Sequence, residues 1–120
     1  MPPAQNLVYV LELDDGYLWV GASTNPVRAM RVHALGTVEP PCEWTTLHPP
    51  RRLRVCRPVA PGQVADEAVG ETVLDLMARN GVSKVRGGAH AAVALPADTR
   101  SELRQRASAR RALLVAELRE

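Results

Sequence analysis

Arginine side chains are the most numerous groups in this chain that can bind an anion. The chain has 15 basic and 13 acidic residues, and Lys84 is its only lysine. The planar guanidinium fork of arginine pairs in bidentate fashion with phosphate or carboxylate groups. The resulting net charge of +2 argues only weakly for a polyanionic partner, and a genome of biased base composition produces the same excess of arginine. Both explanations stay open at this point.

The two cysteines, Cys42 and Cys56, are spaced in a way that matches no zinc-binding or redox motif. We therefore expect reduced, buried cysteines in a cytoplasmic protein, and no disulfide framework. A thiol nucleophile needs a basic partner close by, and the sequence spacing shows none.

The size and composition of the chain predict one small domain that is neither secreted nor inserted in a membrane. Its 120 residues are 46% hydrophobic but only 3% aromatic, so Val, Leu and Ala must fill the core. No apolar run approaches the roughly 20 residues that span a bilayer, and the start, "MPPAQN", does not resemble a signal peptide. Each of the four aromatic residues, Tyr9, Tyr17, Trp19 and Trp44, therefore calls for an explanation.

The first half of the chain predicts a β-hairpin followed by a short helix. "NLVYVLEL" and "YLWVGAS" are β-rich and flank the turn signal "DDG". In "STNPVRAMRVHALG", the polar residues before Pro26 can cap a helix and Gly36 can end it, which predicts a helix over Pro26 to Leu35. From Thr37 to Arg51 the prolines predict a long loop, with Trp44 and His48 shaping it or lining a cleft.

The second half predicts a strand, a helix, a short strand and a final helix. "RLRVCRPV" alternates Leu53 and Val55 with arginines, as in a half-buried strand. A helix then runs from about Ala65 to Gly81, with an acidic stripe on one face made by Glu67, Glu71 and Asp75. After the short strand "KVRGG" and the loop residue His90, Thr99 and Glu102 have capping-box spacing and open an arginine-rich helix. The thin apolar stripe of that helix predicts a peripheral position.

The order of these elements, with Tyr9 in the first strand and "LWVG" ending the second, resembles the GIY-YIG nuclease domain. "WTTLHPPRRL" and "VRGGAHAAVALP" are also similar to segments of one branch of small GIY-YIG proteins, so the likeness runs from Leu7 to Arg106. It implies an α/β (α+β) fold: a three-stranded, mostly antiparallel sheet flanked by helices. We expect residues 1–97 to form this domain and residues 98–120 a C-terminal helix packed on it or extending from it.

The resemblance implies metal-dependent hydrolysis of phosphodiester bonds in DNA. In that family, tyrosines and a histidine lie near the attacking water, an arginine binds the phosphate, and one glutamate holds Mg²⁺ or Mn²⁺. Carried over by position, Tyr9 matches the first tyrosine, Gly21 the glycine after the second motif, and His33 the histidine near the helix end. Glu71 is the best match for the metal ligand, with Glu67 one turn earlier on the same face.

Two positions depart from the family pattern. Trp19 stands where the second tyrosine belongs, and an indole cannot accept a proton. Ala29 stands where the catalytic arginine belongs, and Arg28 and Arg31 point about 100° and 200° away from it around a helix. Three other arginines are candidates for the same phosphate, namely Arg52, Arg54 and Arg86, the last standing near the place of the family's late asparagine.

Three hypotheses follow from these matches and departures. The first is a DNA endonuclease impaired by Ala29 and Trp19, which would need a homodimer or a partner protein for targeting. The second is an inactive nucleic-acid-binding module with the same fold. The third is a repurposed enzyme that acts on a small substrate, with Cys42 or Cys56 as its nucleophile.

Overall fold

A four-stranded mixed sheet with helices on both faces forms the centre of this α+β protein, in the strand order β3-β1-β2-β4. The computed structural model describes residues 5–118, so the expected domain limits at residues 1 and 120 lie outside the described residues. The strands are β1 (Leu7–Leu13), β2 (Leu18–Ser23), β3 (Pro50–Pro58) and β4 (Val85–Gly87), and the helices are α1 (Pro26–Leu35), α2 (Glu43–Leu47), α3 (Ala65–Asn80) and α4 (Ala97–Leu118).

The predicted hairpin is confirmed as β1 and β2, which pair antiparallel with Tyr9 opposite Gly21. A short 3₁₀ turn over Asp14–Gly16 connects them, with Asp15 and Gly16 both at positive φ. Aspartate and glycine tolerate the left-handed conformation, so the turn predicted at "DDG" is confirmed.

The expected three-stranded sheet is wrong by one strand. β4 pairs with β2 in parallel, so the sheet is mixed. β4 is only three residues long, too short for hydrophobic periodicity to show that it joins the sheet. The close approach of the two strands needs a glycine, since a Cβ at Gly87 would overlap the carbonyl oxygen of Val20.

The alternation of side chains along β1 divides the core into two halves. Val8 and Val10 pack with residues of α3 and α4 on one face of the sheet. Tyr9, Leu11 and Leu13 point to the other face, which α1 and α2 cover. We call these the α3 face and the α1 face.

The helix limits predicted from capping signals are confirmed for α1 and α3. The Asn25 side chain accepts a hydrogen bond from the Arg28 backbone N–H at the start of α1, and Gly36 ends that helix at φ 70°. Gly81, at φ 94°, follows the last residue of α3. In both helices the sequence contains the residue type that the terminal backbone conformation requires.

The prediction of an uninterrupted loop between Thr37 and Arg51 is wrong, because α2 lies within it. Trp44 is buried, its indole N–H donates to the Leu18 carbonyl at 2.9 Å, and it packs in the α1-face core. His48 stacks on Tyr17 with ring centroids 3.7 Å apart. The short helix is held by this packing rather than by a strong local signal.

The expected capping box at Thr99 and Glu102 is wrong, since α4 begins at Ala97, three residues before the helix start that this spacing predicts, and Thr99 lies inside the helix. Leu103 and Ala107 belong to the core beside α3, whereas Leu118 is exposed, so the first half of α4 packs on the domain and its end lies at the surface. Among the helices of residues 5–118, none combines the length and apolarity that crossing a bilayer requires.

Candidate functional site

Tyr9 and Gly21 face each other across the hairpin at the centre of the α1 face. A Cβ built on Gly21 would lie 2.5 Å from the Tyr9 Oη and 2.7 Å from its Cζ. The missing side chain of Gly21 therefore makes room for the phenol ring. This position needs a glycine for contact with Tyr9 itself.

The Tyr9 hydroxyl is poorly placed to act as a base. Tyr9 is only 4% exposed, and burial raises the pKa of its phenol, an effect that the nearby Trp19 indole partly offsets. The Trp19 Nε1 is itself buried, and no acceptor among residues 5–118 lies in hydrogen-bonding geometry with it. At neutral pH Tyr9 is thus a neutral phenol that donates rather than accepts a proton.

His33 lies beside this pair, near the end of α1. Its Nδ1 is 2.9 Å from the Thr45 Oγ1, and its ring centroid is 5.5 Å from that of Trp19. The Thr45 Oγ1 also lies 3.4 Å from the Cys42 carbonyl oxygen, so Thr45 links the His33 ring to the start of α2 and holds its orientation. Burial lowers the pKa of His33, so the imidazole is neutral at pH 7.

Two adjoining cavities open around His33. The first, about 380 Å³, is lined by Tyr9, Arg28 and Ala29 and by the polar residues that precede α1, namely Ser23, Thr24 and Asn25; we call it the cleft. The second, about 520 Å³, is lined by Trp19, Cys42 and mostly apolar residues, together with Glu39 and Glu43; we call it the apolar cavity. Of the expected site residues, Tyr9, Trp19, Gly21, Arg28 and His33 thus lie together.

The cleft is suited to an anion. Among residues 5–118, those that line it include no acidic side chain. Arg28 lines it, although its angle around the helix points away from the family's arginine position. The N-cap residue Asn25 of the ten-residue helix α1 lines this cavity, so the partial positive charge at the helix start lies beside it, while the Asn25 side chain itself accepts the Arg28 backbone N–H. Arg31 does not line the cleft but a neighbouring depression on the outer side of α1, which shares Asn25, Arg28 and Val32 with the cleft.

Glu71, the expected metal ligand, lies away from the cleft. It projects from α3, the helix on the opposite face of the sheet, and lines a different cavity together with Glu67 and His90. Its Oε2 accepts hydrogen bonds from Arg57 at 3.2 Å and from Gln63 at 3.5 Å, and its side chain is 57% exposed.

The arrangement around Glu71 does not fit the metal site that the resemblance implies. An exposed ion pair such as Arg57–Glu71 is weak, so this pairing alone would not keep Glu71 from binding a metal. What argues against a metal-ligand role is the position of Glu71, which is remote from the cleft. A metal there would lie across the sheet from Tyr9 and His33. Within residues 5–118, no group of three His, Cys, Asp or Glu side chains could hold a metal ion.

Arg52 and Arg54, two expected phosphate ligands, also lie on the α3 face. They are opposite Glu12 and Val10 in the β1–β3 register, and both residues are exposed. The Arg52 Nε is 3.5 Å from the Glu12 carboxylate. Val55, expected to be half-buried, is 50% exposed because β3 is the edge strand.

Arg86 has a structural role that the sequence did not reveal. It is 5% exposed, and its guanidinium donates to four carbonyl oxygens, those of Val82, Val85, Ala92 and Val93. It also lies 4.5 Å from the centre of the Trp44 ring, and burial lowers its pKa. Arg86 therefore ties the loop after β4 to the sheet and is not free for a phosphate.

Thr45 is a further residue that the sequence reasoning missed. Its hydroxyl lies 2.9 Å from the His33 Nδ1 and orients that ring from α2, a helix that the sequence did not predict. The only sequence signal for Thr45 was its position next to Trp44. Both cysteines are free thiols, but the expectation that they are buried is wrong. Cys42 is half-buried and lines the apolar cavity, and Cys56 is exposed because it lies on the edge strand β3.

Comparison of the chain with family models, with curated proteins and with solved structures gives no match. The likeness to GIY-YIG domains rests on the sequence segments quoted above.

Proposed function

We propose that this chain is a GIY-YIG-type protein that binds the phosphodiester backbone of nucleic acid in the cleft and does not cut it by the family's metal-dependent route. The observation that carries the proposal is the convergence of Tyr9, Arg28 and His33 on one cavity without acidic lining, while Glu71 projects from the helix across the sheet.

The groups of the cleft suit binding better than hydrolysis. Arg28 and the start of α1 offer positive charge, and the Ser23 and Thr24 hydroxyls offer hydrogen bonds to phosphate oxygens. Tyr9 stays protonated and Ala29 supplies no charge, so the cleft holds neither an anionic base at Tyr9 nor the family's arginine. Loss of such a cation costs a phosphoryl-transfer site about a thousandfold in rate.

Fluorescence anisotropy with a labelled single-stranded oligonucleotide tests this proposal. The binding constant falls as salt rises, and each lost phosphate contact makes the negative slope of log K against log salt shallower by about 0.7 for a single strand. At 0.1 M salt that corresponds to about a fivefold loss of affinity, which we expect for Arg28→Ala.

Arg31→Ala is the matched control, because Arg31 lies on the same helix, carries the same charge and faces another depression. We expect it to change the affinity less than twofold. Equal losses from both variants, or no loss from Arg28→Ala, would contradict binding in the cleft.

The apolar cavity favours a second candidate, action on a small substrate. Its lining contains Trp19, His33 and the Cys42 thiol, and the carboxylates of Glu39 and Glu43 disfavour a phosphate there. A neutral or cationic small molecule fits this chemistry best.

The neutral dye Nile red can test for occupancy of this cavity. Ala92→Trp should fill it and abolish the rise in dye fluorescence, whereas Ala94→Trp, which lies in the same loop but not in the lining, should retain the rise. A rise that survives in both variants would rule out the apolar cavity as the dye site.

A further inference from the structure

A basic groove lies between the end of α3 and the middle of α4, on the side of the sheet away from the cleft. Its volume is about 570 Å³, and its polar lining consists of Arg79, Asn80, Ser83, Arg104, Ser108 and Arg111. No lining residue is acidic, and among residues 5–118 none of the three arginines forms an ion pair within 4 Å. Three positive charges thus meet in a protein whose net charge is +2.

The arginines of α4 divide between two differently charged environments. Arg104, Ser108 and Arg111 are spaced by four and three residues, so they share one face of the helix. Arg106 and Arg110 line the neighbouring cavity, which contains acidic residues, and Arg110 pairs with Asp75 at 2.6 Å. Acidic side chains therefore lie near Arg106 and Arg110, whereas Arg104 and Arg111 in the groove have no acidic neighbour in its lining.

The end of α3 does not account for this cluster. The carbonyl end of a helix carries about half a negative charge, which a single cation such as Arg79 already offsets. Arg104 and Arg111 come from the interior of another helix and are about 10 Å apart along its axis. Their long side chains can reach one ligand that lies between them.

We propose that this groove binds a compact polyphosphate of about the size of a nucleoside diphosphate. Guanidinium groups from both walls match adjacent phosphates, and the Ser83 and Ser108 hydroxyls are further donors. Beneath them lie Met77, Val82 and Ala107, which form an apolar floor against which a nucleoside can pack. The site is independent of the cleft and of the function proposed for it.

Isothermal titration calorimetry at low salt, with pyrophosphate and with ADP, tests the proposal. The variant Arg104→Ala, Arg111→Ala should bind both probes at least tenfold more weakly, since each charge-assisted contact is worth about tenfold. The control variant Arg100→Ala, Arg106→Ala loses the same charge from the same helix outside the groove, and should change the affinity less than twofold. If Arg28→Ala weakens pyrophosphate and ADP while the groove double variant does not, the probes bind in the cleft and the proposal is overturned.

Absence of pyrophosphate and ADP binding to the unmodified protein would overturn the proposal. Equal losses in the two double variants would also overturn it, because they would show a general charge effect. A labelled oligonucleotide distinguishes the source of the phosphates: if it alone depends on Arg104 and Arg111, the compact ligand is wrong and the groove is a nucleic-acid contact.

Discussion

Replacement of Gly21 by alanine tests directly whether the Tyr9 phenol lies over the hairpin. The new Cβ would lie 2.5 Å from the Tyr9 Oη and 2.7 Å from Cζ, closer than a Cβ approaches other heavy atoms in real structures, and 3.0 Å from Cε1. The ring cannot move away freely, since Tyr9 is 4% exposed and is packed in the α1-face core.

The expected cost follows from two opposing effects. Overpacking a well-filled core costs about 1–3 kcal/mol. Alanine in a strand interior gains about 0.5–1 kcal/mol over glycine through backbone entropy. We therefore expect Gly21→Ala to lower the free energy of unfolding by about 1–2 kcal/mol.

Urea denaturation of matched glycine variants measures this cost. Gly70→Ala is the control, because a Cβ there meets no heavy atom within 4 Å and the position is an exposed helix interior. That change should raise the free energy of unfolding by about 1 kcal/mol. Tyr9→Phe removes the atom nearest the new methyl group, so the cost of Gly21→Ala should be smaller in that background. A neutral or stabilising Gly21→Ala would refute the placement of Tyr9.

Three further changes test the surroundings of the site. The unfolding free energy should fall as the pH drops below about 6.5, because the lowered pKa of His33 makes the unfolded chain bind the proton more tightly, and His33→Gln should flatten this dependence in a urea series. Arg86→Lys should lower the unfolding free energy by at least about 2 kcal/mol, since an ammonium group cannot serve the four carbonyls that the guanidinium serves; an unchanged urea midpoint would contradict this role. Trp44→Phe should cost about 2–3 kcal/mol by removing the hydrogen bond to Leu18 and leaving a void, and a change below about 0.5 kcal/mol would contradict its anchoring role.

Local signals in the sequence were sufficient where neighbouring residues determine the backbone. Asn25 with Pro26 marked the start of α1, and Gly36 and Gly81 marked the ends of α1 and α3. The β-rich composition of "NLVYVLEL" and "YLWVGAS" around "DDG" marked the hairpin of β1 and β2. These features depend on spacing within a few residues.

Long-range packing decided the features that the sequence did not show. Helix α2 depends on the burial of Trp44 under a hydrogen bond to a residue 26 positions earlier. The role of Arg86 depends on four carbonyls that only the folded loop brings together. Which sheet face α3 covers likewise follows from tertiary packing, and it separates Glu71 from Tyr9.

The claim that Glu71 takes no part in the chemistry of the cleft is tested most directly by a combined binding and cleavage assay. The protein is incubated with 5′-labelled flap DNA in Mn²⁺, and both anisotropy and strand length are followed for the unmodified chain and for Glu71→Ala. We expect binding without cleavage and no difference in affinity between the two proteins, because Glu71 lies across the sheet from Tyr9 and His33. Cleavage by the unmodified chain that Glu71→Ala abolishes would contradict the account.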